Sequence, residues 1–275
     1  MLNAFCKSML AGSLSIMILS GCSDNSKAAR ELLSQAESMA VSGDYPGALA
    51  LLDSVDSRYA AEVEVRRDAM SLRPRIMEML TLKELSTADS MIVQLTIEAD
   101  AVKDVMVFVE DSFEGYYTTK ALKGKVPAEK PGLYARMSAD GIYTVVSSCP
   151  KGTESTAVGL KSGDDEVMSA RVAHDGERND RSRGVEIINF MPSECDTLGV
   201  FAERHTGGEI KATFFGEKKN HTMTLPKDQA EALGSVHKAS VIVGRLHKAQ
   251  LEKTRLERQL DVARSQMART FREKE

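Results

Sequence analysis

The stretch RVAHDGERNDRSRG, Arg171 to Gly184, gathers the groups in this chain best able to grip a ligand: Arg171, Arg178, Arg181 and Arg183 beside His174, Asp175, Glu177 and Asp180. A guanidinium presents a rigid fork of donors that matches carboxylate and phosphate oxygens. Arg178, Arg181 and Arg183 are therefore the candidate contacts for an anionic sugar, a phosphate or an acidic peptide. A solvated hairpin loop whose charges pair with one another has the same composition, and charged loops are the usual surface of a protein. Tyr116, Tyr117, Tyr134 and Tyr143 would make an aromatic platform for a glycan, or else pack within strands.

Catalytic constellations are missing from the sequence. It contains no HExxH, no GxSxG and no glycine loop ending in Lys-Ser or Lys-Thr. The five histidines, His174, His205, His221, His237 and His247, are scattered; His237 and His247 share a helical stretch but point about 80° apart, too far to share a metal readily. These observations predict a protein without enzymatic activity, cofactor or metal; the distant alternative is an unrecognised hydrolase, since catalytic carboxylates look like surface ones in a sequence. Of the four cysteines, Cys149 and Cys195 lie far from the chain's start and lack the paired spacing of a zinc site. In an oxidising compartment they permit one disulfide, with two buried, inert thiols as the alternative. The formal net charge of −4 leaves no basic excess for nucleic acid.

The elements that must position these residues follow from periodicity. From Ala28 to Leu72 the apolar positions recur at helical spacing, with Leu32, Leu33, Ala36, Met39 and Ala40 before the turn SGDYPG and Ala48, Leu51, Leu52 and Val55 after it. A helix over 60–72 and a long one from Arg75 to Met106, started by Pro74, complete a helical region. From Val107 to Leu225 short alternating runs separated by turn residues predict strands. The clearest is a hairpin, Leu133 to Ser138 and Ile142 to Ser148, around Asp140-Gly141; Glu166–Ala173, Val185–Phe190, Glu209–Phe215 and His221–Leu225 are further strands. Lys227 to Phe271 reads as a charged helix with Gly234 and Gly244 as weak points.

The fold class expected is α+β. It has an N-terminal helical hairpin and long helix, a central antiparallel β-sandwich or open barrel, and a long C-terminal helix packed antiparallel on the helix before the β region. The runner-up for that last helix is a parallel homodimer, which Lys253 in the middle of its seam disfavours. The expected divisions are 1–21 as signal peptide, 22–106 as tether and helical region, 107–225 as β-rich domain, and 226–275 as C-terminal charged helix.

Ahead of all this stands Met9 to Leu19, an apolar run of 11 residues that spans roughly 16 Å as a helix, short of a bilayer core of about 30 Å. It is a signal h-region by length, and Leu19-Ser20-Gly21-Cys22 at its end resembles the lipobox of bacterial lipoproteins. That resemblance implies cleavage before Cys22, loss of Cys6 with the signal, and acylation of Cys22. Two or more acyl chains anchor stably where one does not, each buried methylene contributing about 0.8 kcal/mol. Gly43, Asp44, Tyr45, Ala48 and Leu52, with Ala36, resemble one tetratricopeptide repeat, although Leu32, Gln35, Met39 and Ala60 depart from that family's pattern and no second copy follows.

The order of parts resembles envelope lipoproteins of Gram-negative anaerobes. It implies attachment to the cell envelope, in the outer membrane on either its periplasmic or its surface side. The functional expectation is a membrane-anchored, non-enzymatic scaffold or accessory module with an envelope protein as partner. The alternative is a carbohydrate- or peptide-binding lipoprotein acting through its β-domain.

Overall fold

Glycine and aspartate make the turn between the first two helices. The structure is a computed structural model describing residues 19–111, 114–180 and 184–272, with side chains from Asp24 to Arg269. Helix α1 (Leu19–Ser42) ends at Gly43, whose φ of +85° favours glycine. Asp44 caps helix α2 (Tyr45–Arg58): its carboxylate accepts the Gly47 backbone N–H at 3.0 Å, and Pro46 sits in the first turn, where no amide hydrogen is needed. The pair buries Ala29, Leu33, Ala36 and Ala40 against Ala48, Leu52 and Val55, which is the helical hairpin expected. Ser23 to Lys27, expected as a tether, are helical, since no proline or glycine after Gly21 stops the helix.

Helix α3 (Val63–Asp104) is continuous where the sequence suggests a break at Pro74. Proline cannot donate to the carbonyl of Met70. Met70 is 61% exposed, so water can take that carbonyl, and on the adjoining turn Arg73 clamps Asp53 at 2.7 Å and Asp56 at 2.9 Å on α2. Helix α5 (Lys227–Arg272) runs antiparallel to α3. Gln259 donates to the Thr81 hydroxyl at 3.0 Å and Arg264 to Glu78 at 2.8 Å, one helix ascending as the other descends. Two compact units result, residues 1–87 with 253–275, and residues 88–252, and α3 and α5 each contribute to both.

The second unit carries all the strands described. Strands β1 (Met106–Val109), β2 (Tyr116–Thr119), β3 (Gly132–Met137), β4 (Tyr143–Pro150), β7 (Asn179–Asp180) and β8 (Val185–Phe190) form one antiparallel sheet in the order β1-β2-β3-β4-β8-β7. Strands β5 (Ser155–Ser162), β6 (Asp165–Met168), β9 (Lys211–Gly216) and β10 (His221–Thr224) form a second, ordered β10-β9-β5-β6. Helix α4 (Pro192–Arg204) lies inside the stretch expected to be β-rich, between the strands expected at Val185–Phe190 and Glu209–Phe215. One core joins both sheets to α4 and α5, through Leu133, Val145, Ile188 and Phe190, Val158, Leu160 and Phe214, Leu198 and Phe201, and Leu233, Val236 and Val243.

The Asp140-Gly141 hairpin pairs Gly132 with Ser148 through Met137 with Tyr143, and its tip abuts α5. A Cβ on Gly141, whose φ is +83°, would lie 2.2 Å from the backbone nitrogen of Gly244. A Cβ on Gly244 would meet only the Gly141 carbonyl oxygen, at an ordinary 3.5 Å. The two glycines should therefore respond oppositely to alanine. Gly141→Ala is expected to destabilise by about 2 kcal/mol or more, and Gly244→Ala to be neutral or to stabilise by up to about 1 kcal/mol through helix propensity, as read by urea unfolding.

Candidate functional site

Strand alternation sets the character of the region around β8. Glu186, Ile188 and Phe190 share the inward face, so a carboxylate enters the core at a position where the pattern calls for an apolar residue. Glu186 is 3% exposed. Its oxygens accept the backbone N–H of Gly152 at 2.7 Å and of Ser155 at 3.0 Å, and the Cys149 thiol lies 3.8 Å away. Burial by itself would raise its pKa, but the amides of Ser155, Glu154 and Gly152, together with the nearby His174, outweigh it and leave the carboxyl below its ordinary value. A carboxylate so stabilised is a poor proton donor at neutral pH. It serves as an anion held in a cradle of backbone amides.

Further polar groups gather around it. Asn179 pairs with Ile188 on β8, two residues along the same face. Neither carboxamide atom of Asn179, neither ring nitrogen of His174, nor the Ser155 hydroxyl has a hydrogen-bond partner among the described residues, although all these atoms are buried. Such groups are ordinarily satisfied by ordered water or a ligand.

The arginines expected to contact a ligand have different fates. Arg178 donates through both terminal nitrogens to Glu194 at 2.6 and 2.7 Å, and to the Asn189 carbonyl at 2.9 Å. The pairing holds the Glu194 carboxyl below its usual range, and Glu194 also accepts the Met191 N–H at 2.8 Å where α4 begins. Arg178 therefore fastens its loop to α4. Arg181 and Arg183 lie outside the described residues. Beside this fork is a cavity of about 490 Å³ lined by Glu177, Arg178, Asp180, Ile187, Asn189 and Met191. With Arg178 engaged by Glu194, the described lining offers no free guanidinium to an anion and carries the acidic Glu177 and Asp180.

The tyrosines do not converge on a platform. Tyr143 is buried, with its hydroxyl donating to the Leu233 carbonyl at 3.2 Å, and Tyr134 is buried with its own donating to Lys130 at 2.8 Å. Tyr116 lies under the Arg136 guanidinium, and Tyr117 packs against Phe108. His237, on α5, sits between two carboxylates of α4, Asp196 at 3.1 Å and Glu203, with the Tyr143 ring edge-on to it. It joins α4 to α5 where Gly199 leaves space for its ring. Among the described residues no group of three His, Cys, Asp or Glu side chains could hold a metal ion.

The permitted disulfide gives way to two free, buried thiols. Each has its own partner: Cys149 on β4 faces Glu186, whereas Cys195 on α4 donates toward the Phe190 and Met191 carbonyls. Burial, reinforced by the Glu186 charge, pushes the Cys149 thiol up to about 11, and burial pushes Cys195 up to about 12. Comparison of the chain with protein-family models, curated proteins and solved structures finds no match.

Two measurements check these assignments. Glu186→Gln replaces an anion accepting amide hydrogens with a neutral group, and should cost about 2 to 3 kcal/mol in urea unfolding at pH 7. Because the folded pKa is depressed, the stability Glu186 confers is complete above the unfolded value near 4.5 and is lost as pH falls through the folded value; the Gln variant should lack that part of the acid dependence. Iodoacetamide at pH 8 should leave Cys149 and Cys195 unmodified in the folded chain and alkylate both in guanidinium, as read by peptide-resolved mass spectrometry.

Proposed function

We propose that this chain is a lipid-anchored envelope lipoprotein that works by contact, as a scaffold or accessory protein-interaction module. The observation that carries the reading is Leu19-Ser20-Gly21-Cys22 at the end of the apolar run Met9 to Leu19. In this reading Cys22 becomes the acylated first residue. It already belongs to α1, which continues without interruption to Ser42, so the lipid attaches to a helix whose later turns are part of a packed core. Among the described residues no helix is long and apolar enough to cross a membrane; the acyl chains are the attachment proposed.

Contact rather than catalysis is supported by how the reactive side chains are committed. Cys149 and Cys195 are held protonated, His237 is flanked by Asp196 and Glu203, and Arg178 is forked onto Glu194. A glycan- or peptide-binding role for the β region has its own specific support in the cavity beside β7 and β8.

The anchor is tested by growing cells with an alkyne fatty acid and comparing the native chain with Cys22→Ser. The native chain should incorporate the label and sediment with membranes, and inhibition of the lipoprotein signal peptidase should accumulate a larger precursor. The variant should carry no label. A mature chain that begins elsewhere than residue 22 and carries no acyl group would overturn the reading.

A further inference from the structure

Every open sheet ends in two edge strands, and an edge with bare N–H and C=O groups invites another strand to pair with it. Proteins blunt such edges by shortening them, by charging them, or by covering them. Three of the four edges here are blunted. Strand β7 has two residues, and the Arg178 guanidinium takes the Asn189 carbonyl of the strand beside it. Strand β6 begins Asp165-Glu166 and is covered by α4, with the Thr197 hydroxyl on the Met168 carbonyl and His205 on Asp165. Strand β10 follows Lys218 and Lys219 and alternates threonines with His221 and Met223.

Strand β1 differs: charges stand only beyond its ends, and its own four residues are all apolar. Its residues are Met106, Val107, Phe108 and Val109, and its backbone makes no hydrogen bond outside the ladder with β2 among the described residues. Phe108 is 45% exposed. The apolar character continues back into the last turns of α3 and the residue that follows it, where Val93, Ile97, Ala101 and then Val105 succeed one another at four-residue spacing and are all exposed. An apolar edge strand that follows an exposed apolar helix stripe directly in sequence has attributes of a strand-docking site.

Charge decides the occupant. The edge is bracketed by Asp100 and Asp104 before it and by Glu110 after it, all exposed, while Lys103 is half-buried over the Tyr117 ring. A second copy would bring the same acidic residues against these, and an anionic membrane surface would be repelled. We propose that the outer edge of β1 pairs with an extended segment of a partner protein, apolar at its centre and carrying Lys or Arg at its ends. This deepens the interaction-module reading, and it does not depend on acylation of Cys22.

The test uses the detergent-solubilised full chain and a fluorescein-labelled nonapeptide, Lys-Lys-Thr-Val-Ile-Val-Thr-Lys-Lys, beside its counterpart with glutamates in place of the four lysines. Fluorescence anisotropy should show the lysine peptide binding at least about tenfold more tightly than the glutamate peptide, with the difference shrinking as salt is raised. Val107→Lys, which places a charge on the edge, should weaken binding about tenfold. The surface double variant Asp104→Lys with Glu110→Lys, which leaves the strand itself intact, should reverse the preference between the peptides. Equal affinities for the two peptides, or no binding of the lysine peptide up to about 1 mM, would overturn the proposal. A dimer in sedimentation that Val107→Lys dissolves would overturn it too, by assigning the edge to a second copy.

Discussion

One buried carboxylate governs how the two sheets are joined. The chain passes from β4 in one sheet to β5 in the other through Pro150 to Glu154, and in that turn Glu154 adopts a φ of +56°, a left-handed conformation that costs a non-glycine residue about 1 to 2 kcal/mol. Amide hydrogens of the turn point inward as a result, and Glu186 on β8 receives them. The cost of taking a charge from water, several kcal/mol, is offset by these charge-assisted bonds. With the anion gone, the turn would keep its strain and lose the acceptor that compensates for it. The β4–β8 ladder, the β4–β5 crossing and the environment of Cys149 all meet at this side chain.

Helix α5 organises the same unit from the other side. Gly234 lets the helix approach α4 so closely that a Cβ there would lie 2.9 Å from the Glu203 amide nitrogen, and Gly199 on α4 makes room for the His237 ring. These residues look like helix weaknesses in isolation. In the packed molecule they are points of close approach, and the helix propensity lost there is small beside the dense packing of α4 on α5 that they permit.

Much of this was legible in the sequence where local chemistry and long-range packing agree. The Asp140-Gly141 turn specifies its hairpin, Gly43-Asp44 specifies the helical turn, and β8 spans Val185–Phe190 as its alternation predicts. Legibility ended where tertiary contacts override propensity. Strand β5 has Gly159 at its middle, and the Phe215 ring on the neighbouring strand stands where a side chain would be. Helix α4 was hidden among strands, although Cys195, Leu198, Phe201 and Ala202 have helical spacing. The arginine cluster drew attention to Arg178 because of its charge, yet no sequence pattern shows that Glu194 already fills the fork. Glu186 left a readable signal, an acid at an inward position of an otherwise apolar face.

The state of the two core cysteines has a bearing on biogenesis. A domain whose sheets are tied by a carboxylate and by close packing needs no cross-link to be completed after folding. Among the described residues, folding calls for no oxidant to join Cys149 to Cys195, and there is no bond between them for a reductant to break. With thiols held at about 11 and about 12, the folded interior also offers peroxide and disulfide exchange almost no thiolate to attack.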